Sequence, residues 1–199
     1  MTQTVPQWPF GDGEMAGRIR EFDWATTPLG AIAGWPPRLT LIVEMVLDCP
    51  QIATLACGPG LTLIYNDAAA RLYSDLHPGA LGRPLSETFP AGWAVVSSFY
   101  EHAFHGETVQ IAAQPLDTRG EGNPAADVFD ALLLPVREAD GHVAYVHMTG
   151  LEVGKRLLAE AALRETDARH RLLIESWVQA IWETDAEGLV VADSPSWRA

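Results

Sequence analysis

Ile52-Ala53-Thr54-Leu55-Ala56-Cys57-Gly58-Pro59-Gly60-Leu61-Thr62-Leu63-Ile64-Tyr65-Asn66-Asp67 is the stretch that decides the fold of this chain. Two short apolar runs flank Gly58-Pro59-Gly60, which breaks a strand and favours a reversal, so residues 52–57 and 61–65 are predicted to pair as a hairpin. Asn66-Asp67 then offers a side-chain cap for a helix through Ala68 to Leu76, stopped by His77-Pro78-Gly79. Further on, Gly82 and Pro84 limit Leu81 to Phe89 to a helical turn or two. Trp93, Val96, Phe99, Tyr100, Ala103 and Phe104 share one face of a longer helix that Gly106 ends. Thr108 to Ala113, Val128 to Val136 and His142 to Thr149 read as three more strands. The last two are joined by Glu138-Ala139-Asp140-Gly141, whose Asp-Gly pair suits a tight hairpin, and the polar Asp117 to Asp127 reads as a loop. Five strands and the helices between them predict an α+β domain over residues 41–150.

Upstream, Leu39, Ile42, Val43, Val46 and Leu47 keep helical spacing up to Pro50, behind a breaker-rich connection from Thr26 to Pro37. Met15, Ile19 and Phe22 form the apolar side of a short amphipathic helix between Gly13 and Trp24. Residues 1–40 are therefore expected to be an irregular arm and an amphipathic helical cap. Downstream, residues 151–178 are rich in strong helix formers, and from Lys155 to Gln179 they contain neither Gly nor Pro, which predicts one long helix. At a seven-residue repeat its seam holds Leu158, Ala161, Glu165, Ala168 and Leu172, a coiled-coil pattern with one carboxylate in the middle. Ala180 to Asp185 and Leu189 to Ala192 alternate like strands. Two strands alone are marginal in water, so residues 179–199 are expected to open a further, truncated domain.

The 199 residues carry 26 Asp and Glu against 13 Lys and Arg, a net charge of −13. That balance argues against nucleic-acid binding, which needs cationic side chains at the phosphates. With 48% apolar residues and seven Trp the chain is also unlike a disordered acidic tail. Cys49 and Cys57 do not make a CxxC pair, no apolar stretch reaches the ~20 residues of a membrane span, and the first residues lack a signal-peptide pattern. A cytoplasmic location without a membrane partner is expected.

Gly13-Glu14-Met15-Ala16 through Asp23-Trp24, Thr27-Pro28-Leu29-Gly30, Trp35-Pro36, Gly58-Pro59, Leu63-Ile64-Tyr65-Asn66-Asp67 and His77-Pro78-Gly79-Ala80-Leu81-Gly82-Arg83-Pro84 follow one another in a recognisable order. In this order they resemble the N-terminal sensory region of bacterial PAS-domain histidine kinases of the HWE type. Trp182-Glu183-Thr184-Asp185, Gly188 and Asp193-Ser194-Pro195-Ser196-Trp197 resemble the start of a second PAS domain. The resemblance implies a PAS fold: a five-stranded antiparallel sheet with helices on one face, an N-terminal helical cap and a long C-terminal signalling helix. It further implies a homodimeric two-component sensor kinase that relays a stimulus through the helix to a downstream kinase core, and through it to a response regulator. Two departures stand out. Cys57 replaces a large aromatic residue common in such proteins, and Ala68-Ala69-Ala70 follows Asp67 where an aromatic is usual, both removing bulk near the expected cavity.

No GxxxxGK[ST], GxSxG or HExxH motif is present, so no catalytic residue is assigned to this chain. Trp93, Phe99, Tyr100 and Phe104, facing Leu132, Leu134, Tyr145 and Met148, are the candidate lining of a ligand pocket, with Tyr65, Asn66 and Arg83 as its polar groups. A filled core, and with it a ligand-free dimerisation module, is the competing reading. His102 and His105, flanked by Glu101 and Glu107, are spaced to share a metal or to offer a haem ligand, though helix-end histidines are favoured there by the backbone dipole alone. Cys57 sits on a strand without the partners of a flavin-adduct thiol and reads as a small buried hydrophobe, which argues against flavin. No cofactor is predicted; haem or another small molecule stays open. Glu165 would weaken a dimeric seam and leave two packings close in energy.

Overall fold

In the computed structural model, residues 8–115, 128–177, 183–187 and 189–192 are described. β1 (Ile52–Cys57) and β2 (Thr62–Tyr65) form the hairpin anticipated around Gly58, which adopts φ +63° where a side chain would be strained. β3 (Val109–Pro115), β4 (Val128–Arg137) and β5 (Val143–Glu152) complete a five-stranded sheet in the order β2-β1-β5-β4-β3. Every neighbouring pair is antiparallel. The last strand of this sheet in sequence is thus the central one in space, held between β1 and β4. The expected loop Asp117–Asp127 lies outside the described residues.

The helices follow the sequence periodicity. α1 (Glu14–Glu21) is shorter than the predicted span to Trp24, which instead starts a single 3-10 turn. α2 (Pro37–Asp48) begins with proline in its first turn, where the missing N–H costs nothing. α3 (Asp67–Tyr73) is capped by Asn66, whose side chain accepts from the Ala69 N–H at 3.0 Å. α4 (Leu85–Thr88) is the expected single turn, and α5 (Pro90–Phe104) starts one turn before Trp93.

Strand alternation sorts the two faces of the sheet. Ile52, Thr54 and Ala56 of β1 share a face with Met148 and Gly150 of β5, and this face carries α3, α4 and α5. Ala53, Leu55 and Cys57 point the other way yet are just as buried. What covers them is α2, which packs on β1 and β2 through buried Leu39, Val43 and Val46. The helices between β2 and β3 form the expected layer on one face, and α2, which starts in the expected N-terminal cap, covers the other face at the β1–β2 end.

The N-terminal segment belongs to the same compact unit as the sheet, Met1–Gly154. Met15, Ile19 and Trp24 are fully buried in that unit, so the apolar side of α1 finds its partner within the chain. Trp24 donates its indole N–H to the Ile19 carbonyl at 2.8 Å and stacks edge-on against Trp35, which meets Trp8 in turn. Trp8 donates to Glu44 on α2 at 2.7 Å. Three indoles join arm, turn and α2. Two glycines admit the close approaches: a Cβ on Gly82, at φ +75°, would stand 2.5 Å from the Phe22 ring, and one on Gly13 would stand 2.6 Å from an Asp67 carboxylate oxygen.

The second unit, Lys155–Ala199, contains the long helix α6 (Gly154–Trp177) from its second residue and a small antiparallel pair, β6 (Glu183–Thr184) with β7 (Val190–Ala192). Residues 180–182 of the longer predicted strand are outside the described set. On α6, Leu158, Leu163, Leu172 and Leu173 are exposed, and Glu165 accepts from Arg169 at 2.9 Å along the same helix. No helix among the described residues is long and apolar enough to cross a membrane.

Candidate functional site

Between α5 and the sheet lies a cavity of about 100 Å³. α5 contributes Gly92, Val96, Phe99 and Tyr100, which recur at helical spacing and so face one way. The sheet contributes Ile52, Ile111, Ala131, Leu133, Met148 and Gly150, and Leu72, Tyr73, Leu85 and Phe89 close the side toward α3 and α4. No lining side chain is charged. Ala131, Gly150 and Gly92 leave room where larger residues would fill the space, which is why a void persists in an otherwise dense core.

The polar content of this region is three hydroxyls. Tyr73 is buried, and burial holds its phenol well above its ordinary range. Burial likewise pushes Tyr100 up to about 12, partly offset by the neighbouring Thr54 hydroxyl. Those two hydroxyls do not meet at bonding geometry, and Thr54 Oγ1, on a residue 1% exposed, is buried without a hydrogen-bond partner among the described residues. Thr54 lies on the cavity face, directly across from Met148 and one alternation beyond Ile52. An orphaned buried hydroxyl costs roughly 1–3 kcal/mol, and Thr54 shares the cavity's face of the sheet without being among the residues that line it.

The anticipated lining residues are divided between the cavity wall and the rest of the domain. Phe99, Tyr100 and Met148 border the cavity, while Trp93 and Phe104 pack at the edge of the core without lining it. Leu132 and Leu134 do not line it; Leu133, between them, does. The run Leu132-Leu133-Leu134 is apolar in both parities, so composition cannot say which residues face inward. The pairing of Leu133 with Met148 settles it. Tyr145 belongs to the opposite face, across from Cys57, and donates its hydroxyl to Glu138 at 2.8 Å.

The three polar candidates do other work. Asn66 caps α3 and donates its amide to the Cys49 and Gln51 carbonyls at 2.8 and 2.7 Å. Arg83 is exposed beside Glu87. The Tyr65 hydroxyl is 2.8 Å from His77 Nδ1, and His77 Nε2 is 2.9 Å from Glu14 of α1. With the imidazole proton on Nε2, Tyr65 donates to Nδ1 and His77 donates to Glu14, so both contacts are satisfied. This chain straps α1 to the domain. It holds Glu14, which also accepts from Arg18, below its usual range, and burial raises Tyr65 to about 12. His77 was legible only as part of a helix stop, since nothing local signals a partner 63 positions upstream.

His102 and His105 are on the surface at the end of α5, where His102 Nδ1 meets Glu107 and His105 Nδ1 meets the Glu101 carbonyl. Among the described residues no three His, Cys, Asp or Glu side chains converge as a metal site would require. Cys57 is buried on the α2 side, with its thiol pushed far up by burial. Its small size therefore makes room for α2 and does not enlarge the cavity. A cavity this small is well below the ~300–1,000 Å³ of sites that hold drug-sized ligands.

No protein-family model matches the chain, and no curated protein does. Solved structures do. An RNA-binding Light-Oxygen-Voltage receptor is similar at 21% identity over 72% of this chain and 41% of its own, with a TM-score of 0.45. The chain thus spans less than half the length of that receptor. The LOV domain of a blue-light activated histidine kinase from Erythrobacter litoralis is similar at 18% identity over 53% of this chain and 98% of that domain, TM-score 0.42. The PAS domain of Bordetella pertussis BvgS is similar at 12% identity over 67% of this chain and 99% of that domain, TM-score 0.48. By its own antiparallel pairing and strand order, with α3 to α5 between β2 and β3, the first unit is an α+β domain of the PAS fold.

Proposed function

We propose that this chain is the sensory, non-catalytic region of a two-component histidine kinase of the HWE type. Residues 41–150 form its PAS sensor, 151–178 its signalling helix, and 179–199 the opening of a second PAS domain. The observation that carries this reading is the position of β5. Its Met148 and Gly150 line the cavity, it is the central strand, and it runs through Val153 to the first residue of α6. A guest that displaces Met148 acts on the strand that leads out of the domain.

The exposed leucines of α6 support a second copy of the chain as its partner, since an isolated helix gains nothing from apolar residues in water. The homodimer passes the change to a cytoplasmic kinase core, which phosphorylates its own histidine from ATP and then a response regulator. Glu165, paired with Arg169 along its own helix, gives the seam a polar layer with two packings of similar energy. The test is a fusion of residues 1–177 to a histidine kinase core, with autophosphorylation as the readout. Ala131→Leu, which fills the cavity, is expected to change the rate by about threefold or more, and Glu165→Leu to remove that difference. Equal rates in all three proteins, or a monomeric native mass, would refute the relay.

A further inference from the structure

Two neighbouring cross-strand pairs of unequal size form the floor of the cavity under α5. Leu133 faces Met148, and one alternation along the strands Ala131 faces Gly150, so the small pair leaves room beneath Val96 and Phe99 of the helix. Two phenols stand among the lining residues, yet almost none of the wall surface is nitrogen or oxygen. A guest that brings a hydroxyl, a carboxylate or an ammonium group loses water there and gains no partner, and the loss is larger for a charge than for a dipole. Dispersion is the attraction that remains. It grows with the number of close contacts, so the favoured guest is one that fills the space. Size sets the other limit. An apolar cavity of roughly 150 Å³ holds benzene with its six carbons, and the same allowance of about 25 Å³ per atom gives about four non-hydrogen atoms in about 100 Å³.

Resting on the reading of this cavity as the sensor site, we infer that it takes a short hydrocarbon: an uncharged molecule of at most about four non-hydrogen atoms, bearing no hydrogen-bonding group. The wall then selects twice. Its lack of polar atoms turns away an alcohol or acid of the same size, and Val96, Phe99, Leu133 and Met148 turn away a ring as large as benzene. Ala131 is the residue whose small side chain keeps the site open.

The experiment is a titration of the full 199-residue chain, methyl-labelled at methionine and isoleucine, with cyclopropane, ethanol and benzene, read from the Met148 and Ile111 methyl resonances. Cyclopropane is expected to bind saturably, ethanol, matched to it in size, at least about tenfold more weakly, and benzene not at all. Ala131→Leu is expected to abolish the cyclopropane response. Val96→Ala, which takes methyl groups out of the wall, is expected to admit benzene. Ethanol binding less than about tenfold weaker than cyclopropane overturns the apolar class. Benzene binding to the wild type, or its exclusion from folded Val96→Ala, overturns the size limit; in both cases the cavity stands as a site. A cyclopropane response undiminished in Ala131→Leu shows that the guest sits elsewhere and overturns the assignment. If no probe moves the wall methyls, the inference and the sensor reading fall together. If cyclopropane binds and the kinase fusion keeps its rate in its presence, the site stands and only the relay is refuted.

Discussion

The two faces of the sheet at its β1–β2 end are equally buried and differently built. On the α2 side, Leu55, Ile64, Cys57, Val43 and Val46 are all but fully buried, and three tryptophans in mutual contact tie the arm to α2 through Glu44. On the α5 side the sheet borders a void that β1 reaches only through Ile52 and that β3, β4 and β5 mainly line, and on that face of β1 Thr54 keeps a buried hydroxyl without a partner among the described residues. Burial alone therefore does not distinguish a face that holds the domain together from one that can yield to a guest. Packing and polar satisfaction do.

The sharpest test of that contrast is Trp24→Ala. It removes a fully buried indole and its bond to Ile19 on the tight side, and a loss of about 3–5 kcal/mol in urea unfolding is expected. A loss below about 1 kcal/mol would show the cap to be an ornament. Next is alkaline titration. Burial raises Tyr100 to about 12, so its neutral form is favoured in the folded domain; the associated stability is intact below about pH 10 and lost as pH rises through about 12, by the order of 2–3 kcal/mol. Tyr65, strapped to His77, shifts the same way. Tyrosinate absorbance that develops entirely near pH 10 in the folded chain would contradict both.

Matched enlargements separate the faces directly. Ala53→Leu, on the α2 side, is expected to destabilise by about 1–3 kcal/mol, while Ala131→Leu grows into the cavity and costs less than about 1 kcal/mol. Equal costs would mean the void is not there to be filled. The smallest effect is that of Thr54→Val, which trades an unsatisfied hydroxyl for a methyl and should leave thermal stability unchanged or raise it by about 1 kcal/mol.

Most of the architecture could be read from local chemistry. The Gly58-Pro59-Gly60 reversal, the Asn66 cap and the Asp140-Gly141 hairpin each depend on a few neighbouring residues, and each is where periodicity put it. The face of α5 was also legible, because Val96, Phe99 and Tyr100 repeat at helical spacing. What escaped were choices made by distant partners. Leu132, Leu133 and Leu134 are chemically alike, and only pairing with β5 decides that Leu133 turns inward. Tyr65 looked like a pocket residue because a phenol on a strand end often is, but His77 and Glu14 claim its hydroxyl. That α2 covers the second face follows from where the chain returns, which no local pattern states.

The central place of β5 has a consequence for biosynthesis. β1 pairs with β5 from Ile52↔Gly150 to Cys57↔Tyr145, so the hairpin made early has to wait, one edge bare, until the strand that flanks it emerges from the ribosome. Long-separated pairings of this kind are entropically slow to close. Nascent chains halted before Val143 should accordingly remain protease-sensitive and chaperone-bound, and those extended past Gly154 should lock in a single step.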